Sequence, residues 1–278
     1  MPKWNAKFQN QLLKAMQPIL FELGPITIHT VSLFHTGGIL IGIWWLYRQA
    51  QKNRVDTQKI MDLSLVVVLW AVIGARLFSI LFDGSLQWYL QNPAKMLMLW
   101  NGGFTFYGGF LFGLGAGIWY VRKHKMDIWN ISDMAAPGLA LGIAFGRLGC
   151  FFSGDSYGKP TDLPWAVTFS DPLSMAPTGV PLHPTQIYST LVLLVVFGVL
   201  LWWQKRQRFK GELFLAFVML YALVRSFVEI FRDDPRGVYL DGLISTSQII
   251  SLLVVIPALW LFFKKLRQYK SLKLDTSQ

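Results

Sequence analysis

The sequence predicts an all-α integral membrane protein with about seven transmembrane helices and a small external head between spans four and five. Hydrophobic residues make up 53% of the 278 residues, and charged residues only 15%. A soluble domain carries about 25% charged residues, so this composition excludes an ordinary globular protein. Apolar stretches near the roughly 20 residues that cross a bilayer recur along the whole chain.

Seven apolar stretches are the predicted spans. They lie near residues 30–47, 62–83, 104–121, 131–151, 184–203, 213–231 and 243–263. The connections after the first, third, fifth and seventh stretches are rich in Lys and Arg, whereas 84–103 has only Lys95 and 152–183 only Lys159. Because positive charge marks cytoplasmic connections, we expect the N-terminus outside and the C-terminus in the cytoplasm.

The chain is predicted to form one transmembrane domain over residues 1–278. Residues 1–29 are predicted to be a retained external N-terminal segment, because they lack the compact apolar core and cleavage site of a signal peptide. Residues 152–183 are rich in Pro, Gly, Ser and Asp, which are too polar for lipid exposure. This insertion is the predicted external head.

The net charge of +11 does not indicate nucleic-acid binding. The basic residues stand in short clusters between apolar stretches, a pattern that membrane topology explains better. Cys150 is the only cysteine, which excludes an intrachain disulfide and a cysteine-rich zinc site. We therefore expect no nucleic-acid partner and no metal.

Charged residues inside apolar stretches point to a polar chamber. Charges at membrane depth cost a few kcal/mol and are tolerated when they face a cavity or a partner. Those predicted to lie toward the external ends of their spans are Arg76, Arg147, Arg225 and Glu229. Asp133 lies apart from them, toward the cytoplasmic side.

Arg225 and Glu229 are four residues apart on one predicted helix, and Arg232 follows on the same face. They form either a binding site or only an intrahelical ion pair. Arg147 has no acidic residue at helical spacing before it. An arginine donates bidentate hydrogen bonds, so a lipid phosphate is a suitable anion for Arg147.

The stretch Gly146–Gly158 combines Arg147, the hydroxyl of Ser153, the carboxylate of Asp155 and several glycines. Glycine permits close backbone approach and left-handed turns, so this stretch suits a phosphate and acid/base site. The alternative is a helix-packing surface followed by a turn. Tyr107, in a second glycine-rich stretch, and His183, between two prolines, are further candidates.

These stretches, in this order, resemble the prolipoprotein diacylglyceryl transferase family of bacterial inner membranes. The similar blocks are residues 23–29, 74–76, 102–109, 131–133, 146–158, 183–188, 225–232 and 247–251. The resemblance implies transfer of the diacylglyceryl group of phosphatidylglycerol to the lipobox cysteine of a preprolipoprotein signal peptide. Glycerol phosphate leaves, and the family requires no metal or nucleotide cofactor.

The resemblance also implies roles for individual residues. Arg147, Gly158, Arg225, Glu229 and Arg232 match family positions tied to substrate binding or activity, and Arg76, His183, Cys150 and Ser153 are accessory candidates. Asp155 stands where the family usually has Glu.

Three departures concern the remaining site positions. Tyr107 replaces a family histidine, Cys150 and Ser153 replace two asparagines, and Val31 stands at a tyrosine position. Three functions therefore stay open. The chain is the family enzyme with Asp155, Tyr107 or Glu229 handling the proton, a divergent paralogue with another acceptor, or a non-catalytic lipid-binding protein.

Overall fold

The computed structural model describes residues 18–23, 26–82, 86–98, 102–233, 238–239 and 244–275, and the chain is mainly helical there. The helices are α1 (Thr30–Lys52), α2 (Thr57–Phe82), α3 (Leu86–Gln91), α4 (Phe106–Lys123), α5 (Ile128–Ser153), α6 (Thr185–Gln204), α7 (Glu212–Glu229) and α8 (Thr246–Asp275). All except the short α3 coincide with predicted spans, which confirms the all-α fold class.

The number of membrane crossings is a separate matter from the number of long helices. Within the described residues, five helices are both long and apolar enough to span a bilayer: α1, α2, α5, α6 and α8. The glycines of α4 and the charges of α7 lower the hydropathy of those two helices. The seven-span count therefore stays a prediction.

The helices carry large apolar side chains on their outer surface. On α2, Leu65, Leu69 and Ile73 recur at a spacing of four residues and are 60%, 52% and 46% exposed. On α8, Leu253 and Trp260 are 67% and 61% exposed. Such continuous apolar faces are incompatible with water, but they match a lipid environment, as the predicted membrane class requires.

In the part of the chain that the structure describes, three short antiparallel hairpins accompany the helices. They are β1 (Ile19–Leu23) with β2 (Ile26–His29), β3 (Val167–Thr168) with β4 (Pro181–Leu182), and β5 (Val238–Tyr239) with β6 (Ile244–Ser245). The first hairpin belongs to the predicted N-terminal segment 1–29, of which residues 1–17 and 24–25 lie outside the described part of the chain.

The chain divides into two compact units, residues 1–45 with 132–278 and residues 46–131. In the second unit α2 packs directly on α4. A Cβ added at Gly74 or at Gly108 would collide with the facing backbone, so these two glycines allow the helices to touch. Small residues commonly mediate close contacts between membrane helices in this way. The predicted single domain over 1–278 stays a prediction.

The first unit has a core where α5, α6 and α7 meet. Its fully or largely buried members are Ala136, Ala140, Val196, Leu200, Leu213, Ala216, Phe217, Val224 and Val228. The predicted head folds over a smaller cluster that contains Phe151, Phe169, Ala176 and Leu182. This second cluster fixes the segment between α5 and α6.

Asp133, the charge set apart from the others, holds the start of α7. Its Oδ1 accepts a hydrogen bond of 2.9 Å from the Phe214 amide, and its Oδ2 accepts one of 2.5 Å from the Gly211 amide. The carboxylate thus satisfies amides that a helix start leaves without partners. Its buried position therefore has a structural explanation.

Candidate active site

The end of α5 brings Arg147 back toward the turn that follows it. Gly154 and Ser156 both adopt left-handed backbone conformations, with φ of 73° and 63°. Such a conformation is uncommon for a residue with a side chain. The reversal places the buried Ser156 hydroxyl 3.5 Å from Arg147 Nη1. The signature stretch therefore folds onto its own arginine.

A small, partly open cavity lies beside Arg147, between α5, α6 and α7. Its lining comprises Arg147, Ser189, Leu193, Tyr221, Val224, Arg225 and Val228. Arg147 interacts electrostatically with Tyr221, which lines the same cavity. Two guanidinium groups and two hydroxyls thus face a space whose remaining walls are aliphatic. This combination suits an anionic head group attached to an apolar molecule.

Arg225, Glu229 and Arg232 form a connected charge cluster at the end of α7. Arg225 Nη2 is 2.7 Å and Arg232 Nε is 3.8 Å from Glu229 Oε2. All three side chains are largely buried: Arg225 is 12% exposed, Arg232 is 3% exposed and Glu229 is 10% exposed. One carboxylate therefore faces two arginines, which leaves the cluster with net positive charge. The i,i+4 pair exists, and Arg225 lines the cavity as well.

Gly158 connects the signature turn to this charge cluster. It forms an antiparallel bridge with Arg232, and the next amide, that of Lys159, donates a 2.8 Å hydrogen bond to the Phe231 carbonyl. A Cβ on Gly158 would lie 2.8 Å from the Phe231 carbonyl oxygen. The glycine is therefore required for the two segments to pair.

The His-Pro block, residues 183–188, supports the signature turn. Thr185 Oγ1 donates to the Ser156 carbonyl at 2.6 Å, and Gln186 Nε2 donates to the Asp155 carbonyl at 2.8 Å. His183 Nδ1 lies 3.2 Å from the Tyr188 hydroxyl. Thr185 and Gln186 thus fix the backbone around Asp155, while the predicted accessory role of His183 stays a prediction.

The accessory candidates Cys150 and Ser153 lie beside Asp155. The buried Cys150 thiol interacts electrostatically with the Asp155 carboxylate. Ser153 Oγ donates to the Cys150 carbonyl at 3.2 Å and accepts the Asp155 amide at 3.4 Å. Asp155 also interacts electrostatically with Arg147. The structure thus brings together the carboxylate, the thiol and the arginine of the signature.

Arg76 and Tyr107 belong to the unit formed by residues 46–131. Arg76 is 5% exposed, and its guanidinium donates to the carbonyls of Lys95, Met96, Met98, Gly102 and Gly103. These contacts fix the chain between α2 and α4, while its predicted accessory role in the site stays a prediction. Tyr107 lies in the first turn of α4, packs on Phe106 and is 53% exposed.

Comparison with known proteins decides the family. The sequence profile of prolipoprotein diacylglyceryl transferase matches residues 18–264. The chain belongs to the prolipoprotein diacylglyceryl transferase family.

Individual relatives agree with the profile. A protein of Clostridium tetani named phosphatidylglycerol–prolipoprotein diacylglyceryl transferase is 34% identical over 247 residues, which is 89% of this chain and 97% of that protein. Proteins of the same name from Solidesulfovibrio magneticus and Aliivibrio salmonicida are 34% identical over 256 and 261 residues. These alignments cover 89% and 90% of this chain and 94% and 89% of the relatives. The predicted resemblance is confirmed.

Several residues of this candidate site were not singled out from the sequence. Tyr221 lies four residues before Arg225 on α7, so its hydroxyl shares a helix face with that arginine. Ser189 is one of four hydroxyl residues in the first two turns of α6, with Thr185, Tyr188 and Thr190. The helical spacing of Tyr221 from Arg225 is the signal that could have found Tyr221, because polar groups within apolar stretches mark functional sites.

Proposed function

We propose that this chain transfers the diacylglyceryl group of phosphatidylglycerol to the cysteine thiol of prolipoproteins. The observation that carries the proposal is the cavity lined by Arg147, Tyr221 and Arg225. Its cations match a lipid phosphate, and its aliphatic wall matches the attached lipid. Family membership supports this enzyme over a divergent paralogue or a non-catalytic lipid-binding protein.

In this proposal the arginines bind the phosphate that becomes part of the leaving group. Arg147 and Arg225 face the cavity, and Arg232 adds charge through its contact with Glu229. Negative charge develops on the phosphate oxygen as its bond to the glyceryl carbon breaks. Guanidinium groups already placed around that oxygen stabilise the transition state, because they need no reorganisation.

Asp155, Tyr107 and Glu229 are the proposed proton-handling residues. Glu229 is engaged by two arginines, whereas Asp155 interacts electrostatically with the signature arginine and with the Cys150 thiol. Asp155 is therefore the favoured carboxylate. Arg76, Cys150, Ser153, His183 and Gly158 are proposed to position these groups.

We further propose that the reaction takes place at the outer leaflet of the bacterial inner membrane. The N-terminus and the head then lie outside and the C-terminus lies in the cytoplasm, as the distribution of Lys and Arg predicts. The acceptor is a prolipoprotein signal peptide with a lipobox cysteine. The proposal involves no nucleic acid, metal or other cofactor.

The test is a transfer assay with purified protein in vesicles that contain phosphatidylglycerol. A lipobox peptide should gain the mass of one diacylglyceryl group while one glycerol phosphate is released. A peptide with serine in place of cysteine is the matched control. Glycerol phosphate release without a modified peptide would favour another acceptor, and lipid binding without release would favour the non-catalytic alternative.

The same proposal can be tested in cells. Expression of this chain should restore growth of a bacterial strain depleted of its own diacylglyceryl transferase. An Arg147→Ala variant with equal membrane insertion is the control, and it should not restore growth. Failure of the parent chain in both assays would contradict the proposed function.

A further inference from the structure

His35, on α1, lies against the signature helix at its arginine. α1 and α5 cross closely, because a side chain at Gly38 or Gly142 would strike the facing backbone. One turn further along α5, a Cβ on Gly146 would lie 3.0 Å from His35 Cδ2 and 3.5 Å from His35 Nε2. The imidazole therefore occupies the space that Gly146 leaves open, next to Arg147.

The His35 side chain is exposed on α1, and it has no hydrogen-bond partner within the part of the chain that the structure describes. Arg147 and Asp155 are the charged groups that interact with it electrostatically. His183, by contrast, is engaged by Tyr188 and packs on Phe231. His35 is thus an accessible imidazole beside the two charged side chains of the signature.

The reaction needs a base suited to a thiol. A cysteine ordinarily has a pKa of about 8.5, a carboxylate about 4 and a phenol about 10. At neutral pH a carboxylate is a weak base for a thiol, and a neutral phenol is not a base. An imidazole, with an ordinary pKa of about 6.5, is largely unprotonated and well matched to this transfer.

We propose that His35 removes the proton from the acceptor cysteine during transfer. This inference rests on the proposed function, and it assigns the thiol proton to His35 in place of Asp155, Tyr107 or Glu229; Asp155 then acts on the imidazolium. The thiol proton passes to the unprotonated imidazole nitrogen as the sulfur forms a bond to the glyceryl carbon. The bond from that carbon to the phosphate oxygen breaks, and its electron pair leaves with glycerol phosphate. Asp155 stabilises the imidazolium, which then returns its proton to water.

The test uses His35→Gln in the vesicle transfer assay. We expect its kcat to fall about a hundredfold or more, within the range of general-base catalysis, with unchanged binding of phosphatidylglycerol vesicles. The control is His124→Gln, because His124 only stacks on Tyr120 at the end of α4. That variant should keep the activity of the parent.

Two further measurements separate a base from a packing residue. The deficit of His35→Gln should shrink as the pH rises toward the ionisation of the acceptor thiol. Added imidazole should restore part of the activity of His35→Ala, whose cavity can admit it. Full kcat in His35→Gln, or an equal deficit at every pH without rescue, would overturn the proposal. An inactive parent would instead contradict the proposed function.

Discussion

Gly158 packs so closely on His183 that a Cβ at position 158 would lie 2.5 Å from the His183 carbonyl oxygen and 2.6 Å from the His183 Cβ. The same glycine pairs with Arg232. Three parts of the site, the signature turn, the His-Pro block and the end of α7, therefore meet at one residue without a side chain. The three segments can approach this closely only because residue 158 has no side chain.

Replacing Gly158 with Ala should separate these segments. Overpacking of a tight site costs about 1–3 kcal/mol, so the unfolding midpoint in detergent should fall and transferase activity should be lost. The control is Gly198→Ala in α6, where an added Cβ meets nothing within 4 Å. Because alanine favours helix over glycine, that variant should be as stable as the parent or more so. Equal behaviour of the two variants would show that the Gly158 contact is not essential.

The positions of the long helices could be predicted because each depends on local hydropathy. Within the described residues, a long helix coincides with each of the seven predicted stretches. The hairpins and α3 were not predicted, since segments of two to six residues depend on contacts rather than on a periodic pattern. The strands Val167–Thr168 and Pro181–Leu182, for example, pair across a connection of 12 residues.

The candidate site was only partly predictable from the sequence, because part of it depends on contacts between helices that are distant in the chain. Arg147, Asp155 and Arg225 are conspicuous because charges are rare in apolar stretches. His35 and Tyr221 are not, since a single imidazole or phenol in a membrane helix is unremarkable by composition. Their importance follows from which helices cross. The crossing of α1 and α5 at Gly38 and Gly142 places His35 at Gly146, and one sequence does not reveal that pairing.

Arg147 should be essential for use of the lipid. Arg147→Ala is expected to lower kcat/KM for phosphatidylglycerol at least tenfold, because a hydrogen bond to a charged group contributes about 1.5–3 kcal/mol. Arg147→Lys should recover only part of this loss, since an ammonium lacks the bidentate fork. We expect the same result at position 225, with a larger loss of kcat/KM in Arg225→Ala than in Arg225→Lys.

The control for these arginine variants is Arg206→Ala. Arg206 is exposed and stacks over Trp202 in the connection between α6 and α7, so its loss should not change turnover. Initial rates across a range of lipid concentrations provide the measurement. If the Arg147→Ala protein inserts normally and keeps the parental kcat/KM, Arg147 does not bind the lipid phosphate.

Reporter fusions can establish the orientation. A reporter fused after Lys273, beyond the basic end of α8, should be found in the cytoplasm. One inserted at residues 165–180 of the head should be found outside. A cysteine-labelling reagent that cannot cross membranes provides an independent measurement at the same positions. Three predicted spans separate the head from the C-terminus. Finding both positions on the same side of the membrane would contradict that number.

The final prediction concerns the proton. Asp155→Asn keeps the size of the side chain but removes the charge that would stabilise a cation on His35. We expect at least a hundredfold loss of turnover with little change in lipid binding. The control is Asp162→Asn, an exposed carboxylate elsewhere in the head, which should have no effect. Rates and vesicle binding measured on the same preparations distinguish chemistry from binding.

Tyr107 variants complete this comparison. Tyr107→Phe removes only a hydroxyl and should reduce the rate, because a phenol can donate a hydrogen bond but is neutral near pH 7. Tyr107→His restores the residue that the family resemblance places there, and it should retain or raise the rate. Full activity in Asp155→Asn would show that no carboxylate is needed at this position. A Tyr107→Phe variant with the full parental rate would show that the phenol hydroxyl is not used.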